Sequence, residues 1–473
     1  MTFTADASAA LDGPDWLARR RRQAWERYAA SQLPTSADDL WKFSAIETLE
    51  LDAFAPRPTG PPAVTERLME RARSLASFMG ERSGLVVTLD GTLVQTEEGS
   101  PAGALGRSGT DPDGVIDVHG TRPDEQHESV LVNRDAFDEL HAAFVGDVTH
   151  VEIRAKARIE LPLVVVHLVS EPAHGSVAPA SFPHMYVHVG TSAEARVVEV
   201  VAGAGLESLG HASGHASDLR RLRGLVSPVT EIDVSDDARL SHALVQLLPS
   251  GWAQLGVQAG RVGRDGVLRS FYASLGASFG RLRADAGLVG QGGEASLVAG
   301  YLGTGDQLHD LRTVQEHVAP RTSSRLLCMG AVADHARSVY VGLTRIRNGA
   351  HGADAFQTNR NLVLSEGAHA DSVPNLDIQE NDVRCSHAST VGPIDEEQMY
   401  YLESRGIEPG VAERLIVLGF FKNLSGGVPL EHVGEWFVSA VEDRLGTLRE
   451  EGGIGSSVQE SGPTPLVRGD SDA

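Results

Sequence analysis

Residues 151–161 read VEIRAKARIEL. The odd positions, Val151, Ile153, Ala155, Ala157, Ile159 and Leu161, are apolar, and the even ones, Glu152, Arg154, Lys156, Arg158 and Glu160, are charged. Successive strand residues point to opposite faces, so this period of two predicts a β-strand with one wet face. Similar short segments recur to about residue 390: Met185–Val189, Ala195–Val201, Ala238–Leu248, Ala253–Ala259, Val267–Leu275, Ser296–Tyr301, Arg325–Gly330, Ser338–Ile346 and Asn361–Leu364. Gly and Asn-Gly turns punctuate them, and no helix-length amphipathic pattern interrupts from 238 to 390. Many short strands without helices fit a sandwich or barrel, or a solenoid. A sandwich this long would be unusual for one domain, whereas a solenoid adds coils that touch only their neighbours. The pattern favours a β-helix.

The flanks read differently. Residues 14–80 look helical, with a start at Pro14-Asp15 and a face of Trp16, Leu17, Ala24 and Tyr28. Arg19–Arg22 reads as a solvated helix face. Pro56–Pro62 reads as a linker, and Arg67–Met79 as a further helix. Leu85–Leu89, Asp90-Gly91 and Thr92–Thr96 form a hairpin pattern; 97–114 reads as loop and Asn133–Val145 as a helix. After Gly392 the period becomes helical again. Asp395–Arg405 opens on three acids and closes on Arg405-Gly406, and Val411–Phe421 and Leu430–Leu448 follow. Val433, Phe437, Ala440 and Val441 place an apolar stripe on the last helix, with Trp436 beside it. The expected organisation is a helical region at 1–83, a mixed α/β segment at 84–149, a β core at 150–391, a helical region at 392–449 and a disordered tail at 450–473.

Composition narrows the function. The chain has 473 residues, 51 Gly and 2 Cys, with 64 acidic against 41 basic groups. A formal charge of −23 argues against a general nucleic-acid or anionic-membrane surface. The start lacks a basic segment followed by an apolar core, and no apolar run is long enough to span a bilayer. A cytoplasmic chain with reduced thiols is expected. Cys328 and Cys385 cannot supply four thiolates for a zinc site or an all-cysteine iron–sulfur cluster. GxxxxGK[ST] and HExxH are absent, so the sequence holds no P-loop for a nucleotide, and no motif in it makes a convincing self-contained enzyme.

One constellation carries chemistry: Val383-Arg384-Cys385-Ser386-His387. In an extended segment Cys385 and His387 share a face. A thiolate and an imidazole together suit iron, zinc or copper(I). Two ligands do not complete a site, so the remainder would come from elsewhere or from a partner chain. The alternative is a packed thiol and a hydrogen-bonded histidine at a strand end. Cys328, between Leu327 and Met329, reads as core.

Residues 357–407 read QTNRNLVLSEGAHADSVPNLDIQENDVRCSHASTVGPIDEEQMYYLESRGI. The QTNRNLVLS, ADSVPNLDI, CSHASTVG and YLESRGI runs resemble the C-terminal signature of the SufB/SufD family of iron–sulfur cluster assembly proteins. The likeness extends from about 150 to 450, and Trp41-Lys42-Phe43-Ser44 resembles a short motif near the family's N-terminus. Where the SufB branch has a cysteine this chain has Ala370, and where SufB has Glu-His-Glu it has Cys385-Ser386-His387. Both differences point to the SufD branch.

The resemblance implies a right-handed parallel β-helix between helical N- and C-terminal regions. It implies a non-catalytic scaffold in a complex with SufB and the ATPase SufC. A transient iron–sulfur cluster would form at the interface with SufB, and no nucleotide would bind this chain. By the same resemblance His387 is the favoured site residue, with Cys385 beside it. The C-terminal helices should hold SufC, with Phe420, Phe421, Val433, Trp436 and Phe437 as candidates, or else cover the end of the solenoid. A homodimer of the isolated chain stays open. The competing readings are a SufB-type scaffold and a β-solenoid that binds or acts on polysaccharide.

Overall fold

The computed structural model describes residues 2–57, 64–99, 105–106, 114–122, 129–172, 177–205, 219 and 222–450. Beyond Arg57, the linker expected at Pro56–Pro62 lies outside them, as does the tail expected after Glu450.

From Val229–Val234 onward, successive strands alternate between two sheets and pair in parallel with the strand two positions away. Glu294–Gly303, Leu308–His317, Ser323–Val332, Arg337–Ile346, Asp354–Val363, His369–Ile378 and Arg384–Gly392 show the regular form. Two strands make one coil, and about 7 turns make a parallel β-solenoid. One sheet ends on His369–Ile378, the other on Arg384–Gly392.

Corners stack as regularly as strands. Asp237, Asp265, Gly292 and Arg321 adopt positive φ of 57°, 53°, 75° and 55° at successive turns. Each turn donates a backbone N–H to the next corner: Asp237 to Arg264 O, Asp265 to Gln291 O, Arg321 to His351 O. Aspartate tolerates this left-handed geometry better than most residues, which explains why the corners at Asp237 and Asp265 need no glycine. The hairpin at Asp90-Gly91 is as expected: φ of 51° and 89° suit the twist of the antiparallel strands Gly84–Leu89 and Thr92–Glu98.

The 151–161 alternation is only partly strand. The strand Thr149–Ile153 stops there, and Lys156 takes a φ of 64° in a turn. The apolar positions beyond it, Ala157 and Ile159, still face the core, as a folded-back chain with a dry inner side requires. Within the loop expected at 97–114, Leu105–Gly106 pairs with Ile116–His119.

Both sheets are covered on their outer faces. The first carries the N-terminal region: Phe3, Trp41, Phe54, Phe137 and Phe144 pack on Leu255, Phe279, Leu308 and Val339. The helix Asp15–Ala30 buries Trp16, Leu17 and Ala24 as expected. It also buries Arg21, so the arginine run is not a wholly solvated face. Arg21 donates to Leu11 O and Asp12 O at 3.0 Å, capping a neighbouring turn. Residues 31–57 hold two short 3-10 turns and a strand, Phe54–Pro56, rather than continuous helix.

The second sheet is covered by the helices Glu66–Ala76, Pro409–Ser425 and Glu431–Glu450. A Cβ at Gly300 would stand 2.6 Å from Phe437 Cζ, so the missing side chain lets the last helix seat closely. The preceding helix, Glu396–Ser404, is capped by Asp395 and closed by Gly406 at φ 80°.

Candidate functional site

The solenoid's last coil leaves two strand edges open. Among the described residues, His369–Ile378 pairs only with Arg337–Ile346, and Arg384–Gly392 only with Asp354–Val363. Each therefore offers a row of unpaired backbone groups. Ile378 and Val391 are exposed there, where an interior coil would bury such side chains.

Cys385 and His387 both lie on this terminal strand. Their register partners are Ala355 and Gln357, which are buried and face the lumen. Cys385 and His387 thus continue the inward face onto a coil with nothing above it. Cys385 is half-buried against Ile346, Ala350 and Ala353, and that burial raises the pKa of its thiol. His387 is exposed. The next inward residue, Ser389, donates to Ser372 Oγ at 2.7 Å, joining the two sheets across the lumen's mouth. Ala370 sits on the facing strand, on its inward side and paired with Ser338. Ala370, Cys385 and His387 thus all lie on the solenoid's last coil.

Among the described residues no three His, Cys, Asp or Glu side chains come together as a metal site. Cys385 and His387 bring two donor side chains to one face of a strand whose outer edge is unpaired among the described residues. Cys328 lies on the same inward column as Ser389, two strands deeper. It is fully buried, and burial raises its thiol to about 12, which fits the expected core role.

The candidates for partner contact in the C-terminal helices face inward. Phe421, Val433 and Phe437 are fully buried. Phe437 meets Phe421 at 5.5 Å and Phe271 of the sheet at 5.7 Å, both edge-on. Trp436 stacks on Phe78 at 4.7 Å, and Phe420 packs edge-on against Phe421 at 5.2 Å. The outward face of the same helices carries Tyr400, Tyr401, Val411 and Leu415, exposed by 74, 56, 40 and 47 %. Sequence reasoning passed over these four. The structure shows why they matter: Tyr400-Tyr401 lies in a helix with no buried residue.

Trp41-Lys42-Phe43-Ser44 proves to be a docking segment. Arg281 donates to Leu40 O and Arg312 to Lys42 O, each at 2.8 Å, and both arginines clamp the buried carboxylate of Asp310. Burial raises the carboxyl's pKa, but Arg312 and Arg281 outweigh it and hold Asp310 below its ordinary value.

The fold is a parallel β-solenoid with covered flanks, whose last coil leaves its strand edges unpaired among the described residues and bears a thiol and an imidazole. Residues 171–420 match the family described as SUF system FeS cluster assembly, SufBD core domain. The chain belongs to that family. It is similar to an iron–sulfur cluster assembly SufBD family protein of Mycobacterium tuberculosis, 30 % identical over 88 % of this chain and 90 % of the relative. It is also similar to proteins named iron–sulfur cluster assembly protein SufD. That of Bacillus subtilis is 26 % identical over 91 % of this chain and 94 % of its own. That of Escherichia coli is 25 % identical over 90 % and 92 %.

Proposed function

We propose that this chain is the SufD-type, non-catalytic scaffold subunit of a cytoplasmic SufB–SufC–SufD complex. The observation that carries the reading is the same-face placement of Cys385 and His387 on an unpaired terminal strand. Strand addition to that edge supplies backbone pairing and brings a partner's donors beside the imidazole. The partner is a SufB-type chain, and the iron–sulfur cluster assembled between the two is their product, not a resident cofactor. His387 acts there as a ligand or as a proton-handling group, since imidazole serves both roles near neutral pH. Cys385 is the second candidate.

We read residues 150–391 as the scaffold proper, with 1–83 and 84–149 packed beside it. Residues 392–449 are the docking site of the ATPase SufC, which supplies the nucleotide chemistry. With Phe421, Val433 and Phe437 committed to the chain's own core, the surface left for SufC is the outward face with Tyr400, Tyr401, Val411 and Leu415.

The test is reconstitution of the three-protein complex with His387→Ala, followed anaerobically by cluster absorption. The expected result is an intact complex with a strongly reduced cluster yield. Wild-type yield from an intact complex overturns the role of His387.

A further inference from the structure

The residues beneath His387 hold a donor with nothing to bind. Gln357 is the register partner of His387 one strand deeper, on the same inward face, about 4.8 Å away by strand spacing. Its side chain is 1 % exposed. Two hydroxyls fix one end of its amide: Tyr340 Oη donates to Oε1 at 3.5 Å and Thr344 Oγ1 at 3.4 Å. The other end, Nε2, has no partner.

Asn359, two residues on, repeats the arrangement. It is also 1 % exposed and lies beneath Ser389. Its Oδ1 accepts from Asn361 Nδ2 at 2.7 Å, and its Nδ2 is unpartnered. Two buried amides of one strand are thus anchored by their oxygens and lack partners for their nitrogens. A buried donor left unsatisfied costs about 1–3 kcal/mol. The next groups along the axis on that face are His387 and Ser389 themselves.

We propose that Gln357 is a positioning residue for His387: its Nε2 donates to the lumen-facing ring nitrogen of His387, so the other ring nitrogen carries the proton and faces the open end. Neutral imidazole has one donor and one acceptor nitrogen, and a fixed donor beneath it selects the tautomer. His387 then meets an anionic sulfur or carboxylate group at the open end as an N–H donor, which selects the proton-handling role of the two proposed for it, because neither ring nitrogen keeps a free lone pair for a metal. That consequence rests on the proposed role of His387; the tautomer itself does not.

The experiment uses the full-length chain labelled with 15N-histidine, at one fixed pH where the imidazole is neutral. Two-bond proton–nitrogen spectra read the tautomer, and His387→Ala assigns the signal. The wild type should show a single tautomer at His387. Gln357→Met, which removes the donor, should give a mixture. Gln357→Glu keeps an oxygen for Tyr340 and Thr344 but puts an acceptor where Nε2 stood, and should invert the tautomer. Circular dichroism confirms folding, and Gln357→Glu alone decides the matter if the methionine variant does not fold. The same tautomer in wild type and folded variant overturns the proposal. Loss of cluster yield in His387→Ala with an unchanged tautomer in Gln357→Glu would overturn the role of Gln357 and leave that of His387 standing.

Discussion

The guanidinium of Arg281 lies 3.6 Å from the ring centre of Trp41 and at the same time donates to Asp310 Oδ2 at 2.7 Å. One buried cation thus joins an N-terminal aromatic to a carboxylate of the solenoid. Arg312 binds the same carboxylate through Nε and Nη2. Removing Asp310 leaves two buried guanidinium groups without their counter-charge.

Asp310→Ala should therefore destabilise the protein by about 3–5 kcal/mol, the usual result of breaking a buried ion pair by removing one partner. Urea denaturation would measure it. Limited proteolysis should show cleavage near Trp41-Lys42 in the variant before the solenoid is cut. A loss within about 0.5 kcal/mol, as for an ordinary surface site, would mean that the clamp does not hold the segment.

Acidification should unfold the chain through specific lumen groups. Burial, with Arg444 nearby, lowers the pKa of His309 from 6.5 to about 3, and burial lowers that of His317 to about 4. Both are neutral in the fold and charge more readily once unfolded. Their stabilisation is present above pH 6.5 and is lost as pH falls through those lower values. Burial raises the pKa of Glu199, but hydrogen bonds from His167 and His242 outweigh it and bring the group to about 2. Its stabilisation is lost between about pH 4.5 and 2. Urea midpoints across pH 3 to 8 should fall on the acid side, and His309→Gln should flatten the slope between 6.5 and 3. A slope unchanged in that variant would remove His309 from the account.

Phe437→Ala should cost about 3–5 kcal/mol, the range for emptying an aromatic site in a core. The ring fills space left by Gly300 and touches Phe271 and Phe421. Thermal or urea unfolding reads the loss directly. A change below about 1 kcal/mol would place the helix off the sheet in solution.

Tyr401→Ser with Leu415→Ser should leave stability within about 0.5 kcal/mol, since both side chains are exposed. Co-purification of the ATPase subunit should fall sharply. Deleting the helices would be a poorer test, because it strips apolar cover from Phe271, Val298 and Met329. Normal co-purification with the paired variant would exclude this face.

Legibility followed polarity. Strands with alternating apolar residues, such as Arg239–Leu247 and Val267–Ser274, were visible in the sequence. Phe279–Leu288 and Leu308–His317 were not, because Arg281, Arg283, Asp310 and Arg312 occupy their outer faces. Those charges are buried under the N-terminal region, where Arg283 donates to Asp138 at 2.7 Å. A local pattern cannot reveal that a distant segment neutralises it. Cys385 and His387 were readable as a same-face pair, and their place on the last strand confirms that geometry. The unpartnered amides beneath them depend on register between strands about 30 residues apart, which no local motif encodes.

The two open edges are not equivalent. Pro374 stands in His369–Ile378, and proline fits a strand only where its missing N–H would face away from the existing ladder. One position of that edge is therefore blunted against further pairing. Arg384–Gly392 holds no proline and no lysine, the usual deterrents of unwanted pairing. Left unpaired, Arg384–Gly392 is an adhesive surface with a single preferred side. If the proposed SufB-type chain pairs there, balanced synthesis of the two is a requirement of protein quality control as much as of assembly.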